Sequence, residues 1–120
     1  MKRLMSNISW VLGRKEYATY EDFIGAVTDY NKKLNAQGSM WDPNHEVAIG
    51  PIKVVYEALW KDDDDTIEVE IGETGTKLTM GQILYQLNNA TYEFFKDADQ
   101  RFFEGLAAMK GAEYELLIGS

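Results

Sequence analysis

The sequence contains no cysteine, a single histidine and two prolines in 120 residues. Without cysteine, disulfide staples and thiolate metal sites are excluded, which suits a reducing compartment. The lone histidine, His45, would have to serve any Ser-His or Cys-His mechanism. It stands beside Pro43 and Asn44, with no G-x-S-x-G segment and no thiol to activate. Long apolar runs are missing as well. None approaches the roughly 18 residues of a membrane span. The opening MKRLMSNISWVLG lacks the continuous apolar stretch and small-residue cleavage site of a signal peptide. A soluble, cytoplasmic protein is expected. Nor is there a phosphate loop, because no G-K-[ST] follows Gly72 and Gly75.

What is present is enough apolar content, 45%, for one domain over residues 1–120 to bury a core unaided. The clearest element is Leu78 to Asp97. Thr79 and Gln82 stand at N-cap and N3 of a capping box, with Leu78 and Ile83 as its hydrophobic staple. Met80, Ile83, Leu84, Leu87, Thr91, Phe94 and Phe95 then recur at helical spacing, while Gln82, Gln86, Asn89, Glu93 and Lys96 form the polar face. Burial of each Leu or Phe contributes roughly 1.5–3 kcal/mol, so this stripe marks a core rather than an active site.

Around that helix the chain reads as strands and one further helix. Ile8, Trp10 and Leu12 alternate with polar or smaller neighbours, predicting a first strand that ends at Gly13. Thr19 caps a helix with Asp22 at N3, Phe23, Val27, Tyr30 and Leu34 on one face, and Gly38 as its stop. From Glu46 to Trp60 the pattern is β, interrupted at Gly50-Pro51, where proline argues for a bulge or an edge. Lys61 to Asp65 forms a turn, and Ile67, Val69 and Ile71 alternate with Thr66, Glu68 and Glu70 in a strand that pairs back as a hairpin. Residues 72–77 lead into the central helix. Residues 102–109 fit strand or helix, and Tyr114, Leu116 and Ile118 mark a last strand. The class is α+β: a mainly antiparallel sheet of four to five strands with two helices packed on one face.

Charge is placed unevenly. Residues 1–53 carry six acidic and seven basic side chains, a balance of +1, whereas residues 54–120 carry fourteen and five, a balance of −9. Nucleic-acid affinity comes mainly from Lys and Arg neutralising phosphates, so that partner class is disfavoured. A basic protein is the partner such a field attracts.

Each candidate site has a plainer reading. Asp62, Asp63, Asp64 and Asp65 are metal-ligand residue types, but the EF-hand spacing fails for want of a glycine at the sixth position; a charged hairpin tip explains them. A carboxylate pair of Glu68 or Glu70 with Glu104 or Asp99 stays open, in a chain with twenty carboxylates. Trp41, on a polar loop, and Trp60, at the lip of the acidic turn, are interface-type residues; both could instead cover the ends of the core. No catalytic residue, metal or cofactor is assigned.

Small, single-domain, cysteine-free, acidic and α+β, the chain resembles in profile the immunity proteins of bacterial toxin systems. The resemblance spans the whole chain and is carried by no motif, so no residue role is transferred with it. It implies a non-enzymatic module that binds and blocks a cognate toxin, often a basic nuclease. The independent expectation is docking through Asp62 to Asp65, Glu68, Glu70 and Glu73, with Trp60 as apolar anchor and Trp41 as a second contact. The alternatives are a small-molecule-binding or enzymatic domain with a cavity between sheet and helices, and an oligomerising structural protein.

If the aspartate run is a charged turn only, millimolar Ca²⁺ or EDTA will leave the melting temperature unchanged. A specific ligand at 100 times its Kd adds about 2.7 kcal/mol, so a rise of several degrees with Ca²⁺ would reverse the assignment.

Overall fold

The computed structural model describes residues 3–34, 39–58, 65–97 and 101–119. Its central helix, α2 (Met80–Phe95), begins as its capping chemistry requires. The Thr79 hydroxyl accepts the Gln82 N–H at 3.2 Å, and the Gln82 side-chain oxygen accepts the Thr79 N–H at 3.0 Å. Met80, Ile83, Leu84, Leu87, Thr91 and Phe95 are buried, whereas Phe94 lies at the margin with its ring edge-on to Tyr56. The helix starts at Met80, as an N-cap at Thr79 requires, and Leu78 and Thr79 before it belong to a strand, β5 (Lys77–Thr79). That strand pairs with β2 (Glu46–Ile49) in a separate two-stranded sheet.

Helix α1 (Tyr20–Leu34) is capped by Thr19, whose hydroxyl accepts the Asp22 N–H at 3.2 Å. Phe23 and Val27 are fully buried. The next position on that face is Asn31, 3% exposed, while Leu34 is 61% exposed, so the expected apolar stripe ends one turn early. Gly38, the expected stop, lies outside the described residues. Lys32 and Lys33 occupy the last described turn, where cations favour the negative end of the helix dipole.

The main sheet has the order β1-β6-β7-β3-β4. Strands β3 (Ile52–Ala58) and β4 (Asp65–Ile71) form the expected hairpin, in register from Ile52↔Ile71 to Ala58↔Asp65. Trp60 and the turn itself lie outside the described residues. Residues 102–108, compatible with either structure in sequence, are a strand, β6 (Phe102–Ala108), paired antiparallel to β7 (Glu113–Gly119). At the bulge between Phe103 and Gly105, Gly105 takes φ 122, and a Cβ there would lie 3.0 Å from the Leu4 carbonyl oxygen. β7 then lies parallel to β3, making the sheet mixed. Ile52, Val54, Ile71, Phe103, Leu106 and Leu116 are buried in the same core as Phe23, Val27, Leu84 and Leu87 of the two helices. Neither described helix is long and apolar enough to cross a membrane.

The expected first strand at Ile8 to Leu12 does not form. The chain instead makes a two-residue strand, β1 (Arg3–Leu4), against Ala107 and Leu106, and leaves it through Met5 and Asn7, at φ 58 and 61. Ile8, Trp10, Val11 and Leu12 are then all buried, so their apparent alternation has no solvent face. Only Val11 bridges β6, at Phe102. Side chains satisfy much of the remaining backbone. Asn31 accepts from the Ser9 N–H at 2.8 Å and donates to the Ser9 carbonyl at 2.9 Å, as a neighbouring strand would. Asn88, 1% exposed, donates to the Lys15 carbonyl and accepts from the Trp10 indole N–H at 3.0 Å. Asn89 makes both bonds to the Tyr17 backbone. Gly13, at φ 79, lies so close to the end of α2 that a Cβ would come within 2.6 Å of the Phe95 carbonyl oxygen.

Leu87→Ala and Phe95→Ala are each expected to cost about 2–5 kcal/mol in urea melts, and exposed Gln86→Ala no more than about 0.5. Comparable small losses at all three would mean that the wrong face of α2 has been taken as buried.

Asn31→Leu keeps the volume but strands the Ser9 amide and carbonyl. Each buried group left unpaired costs about 1–3 kcal/mol, so the same melts should register a loss of that order or larger; a neutral change would show that Asn31 does not hold the segment.

Candidate functional site

The helices cover one face of the main sheet. On the other, strand alternation turns out Lys53, Val55 and Glu57 from β3, Thr66, Glu68 and Glu70 from β4, and Glu113, Glu115 and Leu117 from β7. The register sets these in rows: Glu70, Lys53 and Glu113 lie abreast, and so do Glu68, Val55 and Glu115. Five carboxylates, Glu57, Glu68, Glu70, Glu113 and Glu115, therefore share three adjoining strands with one cation, Lys53. Its ammonium is 3.9 Å from both Glu68 and Glu113. All three side chains are at least two-fifths exposed, and such pairs contribute about 0–1 kcal/mol. Lys110 lines a cleft with Glu70 and Glu113, and Arg3 one with Glu115, so carboxylates outnumber the nearby described cations without standing apart from them. Met109, 53% exposed, joins Val55, Glu57 and Glu115 around a cleft of about 230 Å³ on this face.

The structure distributes the expected docking residues unequally. Glu68 and Glu70 are exposed on the acidic face, and Glu73 follows β4 in the connection to β5. Glu70 and Glu73 line a groove of about 400 Å³ with Gln82 and Gln86 of α2. Trp60, Asp62, Asp63 and Asp64 lie outside the described residues; Asp65 opens β4 opposite Ala58. Trp41 is elsewhere. Its indole N–H donates to the Thr28 hydroxyl of α1 at 3.0 Å and its ring packs half-buried on the core, which puts it in the helical layer.

Three further carboxylates of this face follow the same period-two pattern in the sequence. Glu57, Glu113 and Glu115 alternate with inward-facing apolar residues as plainly as Glu68 and Glu70 do. What no local pattern contains is that β7 lies beside β3 and so joins their charges in one patch.

The carboxylate pair of Glu68 or Glu70 with Glu104 is disfavoured by topology. β7 and β3 intervene, so the backbones lie three strand spacings apart, about 14 Å, whereas a glycosidase pair needs its carboxyl groups about 5–9.5 Å apart. Asp99 lies outside the described residues. His45 is exposed; its backbone, not its ring, ties the loop to α2, accepting the Met80 N–H at 2.9 Å. Among the described residues no group of three His, Asp or Glu is arranged to hold a metal ion. The pKa values of Tyr17 and Lys96 lie above their ordinary ones. Burial raises the Tyr17 hydroxyl, and the Glu93 carboxylate 2.7 Å away raises Lys96.

A further cleft, of about 540 Å³, opens where β3 and β7 part beyond Val55 and Glu115. Arg3, Ser9, Tyr56, Glu104 and Glu115 are among its lining residues. It lies at the margin of the sheet, while buried side chains of both layers meet in the space between sheet and helices.

Comparison with known proteins finds no matching family model, no matching curated protein and no matching solved structure.

Proposed function

We propose that this chain is a protein-binding module of the immunity or inhibitor type, which blocks a basic partner such as a nuclease toxin through the acidic outer face of its sheet. One observation carries the reading: five carboxylates face a single lysine across three paired strands. Crowding like charges on one surface works against the compact state by self-repulsion, and a basic partner relieves that repulsion on docking. Occlusion requires fit and charge, not chemistry. Paired strands fix the backbone from which the carboxylates project, so the ordering left to be done on binding is that of the side chains. Val55, Leu117 and Met109 provide apolar contact between the charges.

The docking surface proposed here is broader than the hairpin. It keeps Glu68 and Glu70, adds Glu57, Glu113 and Glu115, and sets Trp41 aside with the helical layer.

The test is co-expression with the product of the adjoining open reading frame. That product alone should arrest growth, and the present chain should restore it. Converting Glu57, Glu68, Glu70 and Glu115 to lysine should leave the fold intact by circular dichroism. It should also slow association with the neighbour at low salt by at least about tenfold, because the steering field is removed. A harmless neighbour, or a charge-reversed variant that associates and protects as well as the wild type, would sink the reading.

A further inference from the structure

The outermost strand of the acidic face has one edge without a neighbour. β4 pairs with β3 along all seven of its residues, and among the described residues no strand pairs with its other side. Every second N–H and C=O along that side therefore points away from the sheet. The edge is regular. It has no proline and no bulge, two of the devices by which proteins blunt an edge. From Thr66 onward its inward residues are apolar, with Ile71 buried and Ile67 and Val69 half-buried, while Thr66, Glu68 and Glu70 face outward.

We infer that this edge accepts an extended cationic segment of the blocked partner as an added strand, an inference that rests on the basic-partner reading above. Charge selects that occupant over a second copy of the chain. Antiparallel pairing of β4 with itself would set Glu68 opposite Glu68, or Glu68 opposite Glu70, and like charges directly opposite are destabilising. An incoming strand with Lys or Arg at alternate positions places cations beside Glu68 and Glu70. Its intervening apolar residues extend the row of Ile67 and Val69. Main-chain hydrogen bonds then supply affinity and the alternation supplies specificity. There is room beside the strand: the groove of about 400 Å³ between Glu70, Glu73 and α2 flanks its C-terminal end, and the Gln86 amide is exposed there to meet the added backbone.

The probe is a blocked peptide of alternating valine and lysine, seven residues long to match β4, with a counterpart N-methylated throughout. Both carry the same charge, but only the first can donate main-chain hydrogen bonds. The unmethylated peptide should bind at low salt and protect alternate amides between Thr66 and Ile71 from hydrogen exchange. The methylated peptide should bind at least about tenfold more weakly. So should the unmethylated peptide with a folded Glu68→Lys, Glu70→Lys variant.

Equal binding of the two peptides would overturn the edge and leave the acidic face as a purely electrostatic surface. Failure of the unmethylated peptide to bind would overturn it as well. Protection of β4 on concentrating the protein alone would give the edge to a second copy instead. The co-expression assay separates this inference from the one beneath it. A neutralised toxin that leaves the β4 amides unprotected refutes the added strand alone. A β4 edge that pairs with the peptide in a chain that protects against nothing refutes the inhibitor function alone.

Discussion

Two buried asparagines hold a segment that has no regular structure of its own. Between Ile8 and Gly13 the chain runs through the core, where water cannot satisfy its amides and carbonyls. Asn31 of α1 pairs with both polar groups of Ser9, and Asn88 of α2 joins the Lys15 carbonyl to the Trp10 indole. The Asn31 amide also donates to the Val27 carbonyl, and its oxygen accepts the Ser39 hydroxyl, so its four bonding positions are filled. Each helix thus contributes an amide where a core would ordinarily have an apolar residue. With that segment in place, Ile8, Trp10 and Leu12 fill the core alongside both helices and the sheet. Three aromatic rings, those of Tyr17, Phe23 and Tyr30, gather around the Trp10 indole at centroid distances of 5.4–6.2 Å.

The same arrangement explains which parts of the fold were legible in the sequence. The start of α2 was, because Thr79 and Gln82 satisfy each other within one turn. So was the β3–β4 hairpin, where period-two alternation on both sides of a polar stretch turns Ile67, Val69 and Ile71 to one face. Ile8 to Leu12 has the pattern of a strand and does not form one, because its hydrogen-bonding partners are side chains and backbone atoms 22 to 93 residues distant. β5 is three residues long and acquires its identity only from β2. Asn31 and Asn88 carry no local signal of burial; at their positions on the helices they read as polar breaks in an apolar stripe.

Of the candidate site, the outward direction of Glu68 and Glu70 followed from alternation alone, and the merging of charge from β7 with that of β3 and β4 did not. Strand order is a non-local property, set by how the two hairpins meet. The structure also divides the aromatic residues by role. Trp41 is tied to Thr28, and Trp10 to Asn88. Both indole N–H groups are thus spent on internal partners, in the helical layer and away from the carboxylates. That separation leaves a sheet face governed by charge and a helical face governed by packing.

The meeting of the hairpins is narrow. β3 and β7 are in register only from Lys53 to Val55 and from Glu113 to Glu115, positions 60 residues apart in the chain. Each hairpin closes a short loop, whereas this parallel contact must close a long one and meets a larger entropy cost before any bond rewards it. It is therefore a weaker seam than the pairing within either hairpin. The acidic face straddles it, with Glu68 and Glu70 on one side and Glu113 and Glu115 on the other. A molecule lying across that face would act as a suture, holding the two halves of the sheet in register while it remained in place.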